Sequence, residues 1–576
     1  MKKIISIILT IAIVLPCFCV NASAQSAFLD SRYETKMRQV TEMLMNDKIT
    51  LDKVAKLDRC VVYISVSDTS QQAVTVTAST KKLEASLDKA LAKARATDIN
   101  PVWFKLDVVT EVEAMTYESF KTTYKESLNS AMRKGIAFND YFGRSLLEAQ
   151  INSNGWLDYT TGELDLEAIN KYFKKNKLKQ LPEIPETIYL FRSKGFFADN
   201  SGQVIRLTSG NYAQFGTRPY EMTKDDIVNL AKRSSHYLVN MCGEDGKFVY
   251  GYYPIDNEEL EGYNIIRHAG TVWNLILQYE MTGDRYLLKP IERALGYLQE
   301  YIHYKDKNTA FLNDRGTLNV GGNGISLLAF VSYAEIMKSD KYNDLIKALA
   351  NGIMYLQKDN GAFVHTINKS DYSVYKDYIT VFYDGEATYG ILRAYGLLGN
   401  KKYLKTAEKA ADYFIANGYE TLNSHWISYS FNELTKYSPK EEYFNFGLKN
   451  VHGYTERVNR TVTAAHTTCE TMGSSFELYH RMLSSGKTCD MMKEFDGDLL
   501  VEAFQKRATW GMHYFIQPEQ AMYFSNPRLV LYSHVVREDN FRIRIDDIQH
   551  FMGGYYLYWK NYETVQEYLN KEAPQT

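Results

Sequence analysis

From residue 220 onward one hydrophobic pattern recurs. Asp284–Gln299, Asp340–Gln357 and Lys401–Phe414 each carry a tyrosine near the start, followed by apolar residues three and four positions apart. That spacing places them on one face of a helix. Other segments are apolar on nearly every side and small in side chain: Ala269–Tyr279, Ile325–Ile336, Ala387–Leu398, Thr471–Leu483 and Phe551–Trp559. A helix without a polar face is buried all round. Alternation of the two kinds predicts an outer and an inner ring, and its recurrence marks a repeat architecture. Glu244-Asp-Gly-Lys-Phe248 and Asp359-Asn-Gly-Ala-Phe363 are turn sequences running into an aromatic, which suits short hairpins between units. The expectation is a mainly α chain with an (α/α) toroid over 220–576, five hairpins visible and a sixth near its start.

The preceding region reads differently. Arg59–Ser67, Gln72–Thr80 and Val102–Glu113 are β-branched and partly alternating, whereas Lys81–Ala96 and Tyr117–Lys134 have helical spacing. An α+β domain over 25–219, ending near Pro219, is expected. None of the eleven histidines precedes His236, so imidazole chemistry belongs to the helical part.

The first residues, Lys2-Lys3, an apolar run from Ile4 to Val20 and then Ala22-Ser23-Ala24, have the form of an export signal cleaved near Ala24. No later run of about 18 apolar residues is apparent, so no stable membrane span is expected after cleavage. Removing Lys2 and Lys3 takes the formal charge from −2 to −4, spread without long runs of one sign, which argues against a nucleic-acid partner. Cys60, Cys242, Cys469 and Cys489 are too few for a disulfide framework, although one bridge is open. Tyrosine stands at 45 of 576 residues, and its hydroxylated ring suits sugar stacking as well as packing.

In a toroid the inner helices aim their ends at a central funnel, so residues at their starts converge. Five starts are readable: Arg267-His268-Ala-Gly270, Gly321-Gly-Asn323-Gly324, Tyr383-Asp384-Gly-Glu386, His466-Thr-Thr-Cys469-Glu470 and Arg544-Ile-Asp546-Asp547-Ile-Gln549-His550. Glu386, Glu470 and Asp546, with Asp384 beside them, are candidate acid/base carboxyls for glycan chemistry. The plainer role is stabilising a helix start. His268 and His550 are candidate proton carriers, and Arg267 and Arg544 suit an acidic sugar. Asn323, Tyr383, Asp384 and Gln549 complete the candidate binding set. A long insertion between Asn417 and Arg460 contains His425-Trp426, where Trp426 would either stack on a sugar or anchor the insertion over the funnel. No cofactor or metal is expected; the alternative is zinc held by His466 and Cys469 with His268, His550 or Cys242. No phosphate loop or serine-hydrolase elbow is convincing.

Over roughly Glu221–Tyr562 the chain resembles the six-hairpin toroid proteins that process glycans. Arg544-Ile-Asp546-Asp547-Ile-Gln-His550 is similar in layout to a segment near the C-terminus of D-glucuronyl C5-epimerases, with the histidine one place earlier, and Tyr383-Asp-Gly-Glu386 is similar to their acidic, tyrosine-containing segment. The resemblance implies an exported enzyme acting on an acidic poly- or oligosaccharide by hydrolysis, elimination or epimerisation. A non-catalytic glycan-binding or envelope-assembly protein is the rival.

Overall fold

Two architectures follow one another in the computed structural model, which describes residues 22–126, 132–208, 216–375, 380–461 and 466–571. The segment read as an export signal lies largely outside these residues. In the N-terminal part, β1 (Cys60–Ser67), β2 (Val74–Thr80), β3 (Trp103–Thr116), β4 (Gly135–Ala137), β5 (Ser145–Leu146), β6 (Thr187–Ala198) and β7 (Val204–Arg206) form one antiparallel sheet. Its order is β2-β1-β3-β6-β4-β5, with β7 beside β6. Helix Ala22–Met45 and helix Leu83–Arg95 contribute to a core on one face with Val62, Ile64, Phe104 and Phe196. Helix Tyr117–Tyr124 is shorter than its expected span, because Lys125 turns to extended backbone.

The helical part contains α1 (Lys224–Asn240), α2 (Ile265–Thr282), α3 (Leu288–Glu300), α4 (Val320–Met337), α5 (Asn343–Leu356), α6 (Tyr383–Leu398), α7 (Lys401–Ala416), α8 (His425–Tyr437), α9 (Glu441–Lys449), α10 (Thr468–Ser484), α11 (Gly497–Met512) and α12 (Ile545–Lys560). The even-numbered helices pack in sequence, α2 on α4, α4 on α6, α6 on α8, α8 on α10 and α10 on α12, and α12 returns to α2. Each odd-numbered helix leans on the inner helix of its own hairpin. This closed ring is an (α/α)6 toroid of the six-hairpin kind.

The sixth hairpin is not near the junction but inside the stretch expected to be an insertion. α8 escapes an apolar search because its buried run His425–Thr435 contains Ser428, Ser430, Asn432, Glu433 and Thr435. Most of these polar groups are engaged: Asn450 Nδ2 donates to Ser428 Oγ at 2.9 Å, Asn432 Nδ2 donates to Glu477 at 2.7 Å, and Glu433 accepts from Lys436 and Tyr437. Hydrogen bonding makes their burial affordable. The 18 residues of α4 are long and apolar enough to cross a membrane by length and composition alone, but 83% of the helix is buried inside the fold, as in a core helix.

Both anticipated hairpin turns are present, as Cys242–Phe248 and Gln357–Phe363 bridges. Gly246 (φ +86°) and Gly361 (φ +99°) sit against the carbonyls of Arg293 and Lys409, where a Cβ would approach to within 2.1 and 2.2 Å. Only glycine fits both the backbone and the space. The long connection from α11 to α12 crosses back onto the sheet: Ala73 N–H donates to the Met522 carbonyl at 2.7 Å, and the Tyr523 hydroxyl meets Ser65 Oγ at 2.9 Å. Cys60, Cys242, Cys469 and Cys489 are all free, buried thiols.

Candidate active site

The starts of the inner helices meet at one end of the ring, and α8 adds a sixth. Gly321 on α4 lies where a Cβ would touch Glu386 Oε2 on α6, and Gly385 on α6 abuts Trp426 on α8. The rings of His425 (α8) and His550 (α12) are 5.0 Å apart, His466 ahead of α10 lies 5.3 Å from His550, and Gln549 on α12 packs on Gly270 of α2. Side-chain caps at these starts come from asparagines, with Asn264 accepting from Ile266 N–H and Arg267 N–H and Asn319 from Gly322 N–H. None of the acids Asp384, Glu386, Glu470 and Asp546 caps its helix.

Glu470 is fully buried, its Oε2 2.7 Å from His550 Nδ1 and its Oε1 accepting from the Tyr429 hydroxyl at 3.1 Å. Burial acts against charge on His550, but Glu470 outweighs it and raises the imidazole above its ordinary value. His425 is driven the other way, well below 6.5, by burial and then by the neighbouring His550 and His466. Its Nε2 is buried without a hydrogen-bond partner. Glu386 is pushed up to about 8 by burial, and its Oε2 likewise lacks a partner. The cluster therefore joins, on neighbouring inner helices, an imidazole kept neutral, an imidazole whose proton affinity is raised and a carboxyl pushed up to about 8. Environments that separate the proton affinities of neighbouring groups set up acid/base chemistry. His466, Arg267 (38% exposed side chain) and Phe382 (49% exposed) reach solvent and form the rim.

Several candidates are placed elsewhere or differently employed. His268 is a core residue: Nε2 meets the Ala294 carbonyl at 2.9 Å, Nδ1 meets the Tyr263 hydroxyl at 2.7 Å, and burial lowers its pKa to about 4. Asn323 ties α4 to its surroundings, donating to Ala310 O and Leu349 O and accepting from Leu312 N–H, which leaves nothing for a ligand. Asp384 is held by His365 at 3.1 Å and by the Tyr419 hydroxyl at 3.1 Å. Trp426, 4% exposed, packs among Trp273, Tyr429 and His550 and plugs the ring axis. Tyr383 stands over His365 with ring centres 5.9 Å apart, beside Gly321.

Asp546 and Arg544 are spent on each other, through Nε to Oδ1 at 2.5 Å and Nη2 to Oδ2 at 2.9 Å, and Arg267 Nε adds a contact to Asp546 at 2.9 Å. Burial favours a neutral Asp546, but the two guanidiniums outweigh it and hold the carboxyl below its usual range. The carboxyl is thus ionised and paired with both arginines. One residue on, Arg542 grips Asp547 through two contacts of 3.0 and 3.2 Å, but burial and the neighbouring Asp546 outweigh the arginines and raise this carboxyl above its ordinary value. A short antiparallel pairing of Gly251–Tyr252 with Ile543–Arg544 sets this segment and brings Tyr250 to Arg267.

The zinc set read from the sequence does not assemble. Cys469 is packed against Gly554, Cys242 belongs to the first hairpin turn and His268 is engaged in the core. A different set, His425, Glu470 and His550, presents three ligand atoms within 4.8 Å of one another. Two of these residues already share a hydrogen bond, between His550 Nδ1 and Glu470 Oε2.

Residues absent from the sequence-derived set are Tyr429, His365 and Arg542, and His466 was read there only as part of a helix start and as a zinc ligand. Tyr429 carries no local signal, since its role arises only when α8 lies beside α10. At the opposite end of the ring, beyond Trp273, Tyr389 and Tyr429, a cavity of about 560 Å³ is lined by Glu335, Arg393, Glu433, Lys436, Glu477 and Lys560. Its charges pair mutually, as Arg393–Glu335, Lys436–Glu433 and Lys560–Glu477.

No family model matches this sequence, and the comparison with curated proteins returns no match. Among solved structures, the chain is similar to a D-mannose isomerase at 12% identity and a TM-score of 0.46, over 60% of this chain and 100% of that one. It is similar to an unsaturated glucuronyl hydrolase specific for heparin at 10% identity and 0.43, over 59% and 99%. A cellobiose 2-epimerase from Bacillus thermoamylovorans B4167 matches at 11% identity and 0.42, over 51% and 89%. The toroid itself is evident from the chain's own helix contacts.

Proposed function

We propose that the protein is an exported carbohydrate-active enzyme that adds and removes a proton on a sugar carbon of a poly- or oligosaccharide, as an epimerase or lyase. The supporting observation is the opposed pair His425 and His550: one imidazole kept neutral with a free nitrogen, the other with its proton affinity raised by Glu470, with ring centres 5.0 Å apart. A neutral imidazole accepts a proton and an imidazolium returns one, which suits reversible abstraction at carbon. Glu386, neutral near pH 7, adds a second donor. Arg544 is neutralised by Asp546, so the preference for an acidic sugar at this end of the ring rests on the exposed edge of Arg267. Export rests on the Lys2-Lys3, apolar and Ala22-Ser-Ala24 pattern.

Incubation with uronate-containing oligosaccharides in heavy water tests this reading. Deuterium at a ring carbon indicates epimerisation, and a chromophoric unsaturated uronide indicates elimination. New reducing ends with neither change would make the enzyme a hydrolase and refute the proton-transfer reading. The His425–Glu470–His550 set supports a second reading, a divalent-metal centre. Stoichiometric zinc in the purified protein, with activity lost to a chelator and restored by zinc, would establish it in place of the first.

A further inference from the structure

The N-terminal sheet curls until its two ends face one another across a groove of about 760 Å³. Tyr63 on β1 holds the curl, its hydroxyl donating to Ser145 Oγ on β5 at 2.7 Å. The outer strand β2 forms one wall, and helix Leu83–Arg95 and the end of helix Leu166–Lys175 supply the others. This volume lies in the range of ligand clefts.

The charges of the lining are one-sided. Arg59, Lys89, Lys93, Lys175 and Lys177 all border the groove, and among the described residues no aspartate or glutamate does. The whole chain has slightly more acidic than basic residues, 69 against 67, so this wall departs sharply from its surroundings. Like charges gathered round a low-dielectric cleft focus a field that draws anions. Between the cations lie aromatic and hydroxyl groups: Tyr141, 52% exposed at the lip, Phe142 beside it, and Thr75, Ser145 and Tyr172 deeper in. Tyrosine faces and hydroxyls match the apolar faces and hydroxyls of sugar rings, while ammonium and guanidinium groups match carboxylates.

We infer that this groove is a second binding site, which holds an anionic polysaccharide strand independently of the toroid site. The choice of a polysaccharide over other polyanions rests on the glycan reading given above; the preference for anions rests on the groove alone.

Calorimetric titration of the full chain with polygalacturonate, dextran and polyglutamate tests it. Polygalacturonate is expected to bind, with dextran and polyglutamate at least tenfold weaker. The double variant Lys175→Glu with Lys177→Glu, both at exposed positions, should weaken polygalacturonate binding at least tenfold, and Tyr141→Ala severalfold, without a change in thermal midpoint. No binding by the wild type, unchanged binding by both groove variants, or polyglutamate bound as tightly as polygalacturonate would each overturn the inference. Binding without turnover of any glycan would defeat the enzymatic reading and leave the groove standing. Turnover without groove-dependent binding would do the reverse.

Discussion

His550 Nδ1 lies 2.7 Å from Glu470 Oε2, a contact that joins the last two inner helices of the ring. Burial raises Glu470 and opposes charge on His550, yet the carboxylate next to the imidazole lifts His550 above its ordinary value. Both groups thus bind a proton more tightly in the folded chain than in the unfolded one. The His550 share of this stability is complete below the unfolded imidazole value of about 6.5 and is lost as pH rises through its raised value. The Glu470 share is complete only below the unfolded carboxyl value of about 4.3 and is lost as pH rises through the raised value of Glu470. Glu470→Gln should move the His550 titration, followed by NMR of the ring, to lower pH. The stability gap between wild type and variant, by calorimetry, should shrink as pH rises above neutrality. A gap that stays constant would mean that the proton is not shared.

The ring was legible from sequence wherever inner helices are uniformly apolar, as with α4, because periodicity reports burial directly. It was illegible at α8, whose inward residues include Ser428, Asn432 and Glu433. Polar groups satisfied by one another leave no hydrophobic signature, although they are as buried as leucine. The same limit applies to the site. Position at a helix start was readable for Glu386, Glu470 and His550, but whether a nitrogen or oxygen is already engaged was not. His268 and Asn323 sit at equivalent fourth positions of α2 and α4, and both are consumed by carbonyls of the neighbouring outer helix, Ala294 and Leu349. Asp546 looked like an acid until its two arginines were in place.

Glu386→Gln keeps the shape of a carboxyl that burial already holds neutral, up to about pH 8. With a folded value above the unfolded one, the wild type loses stability as pH rises from about 4.5 to 8, by an amount on the order of a few kcal/mol. The glutamine variant has no such loss. Its thermal midpoint should gain on that of the wild type across this window, while turnover falls by about a hundredfold or more. Equal pH dependence in the two proteins would place Glu386 in contact with water and remove its role as a neutral acid.

Asp546→Asn should behave in the opposite way. The amide strands Arg267 and Arg544 around a neutral group, and breaking a buried ion pair costs about 3 kcal/mol or more, somewhat less here because Arg267 is partly exposed. The thermal midpoint should drop by several degrees, and activity should fall in step with the folded fraction. Turnover abolished at an unchanged midpoint would restore Asp546 as a catalytic group.

His268 offers the sharpest separation of structure from chemistry. It resembles a catalytic residue in sequence, next to Arg267 at a helix start, but its two nitrogens serve the Ala294 carbonyl and the Tyr263 hydroxyl, and its pKa of about 4 keeps it neutral throughout the physiological range. His268→Ala strands both partners in a buried site, each at a cost of about 1 to 3 kcal/mol, and leaves a cavity. Chemical denaturation should register that loss. The rate per folded molecule, measured at a temperature where the variant is still native, should stay within a factor of two of the wild type, with the same pH profile. A lost or displaced limb in that profile would show that His268 exchanges protons during turnover and that the ring's chemistry extends beyond His425, Glu470 and His550.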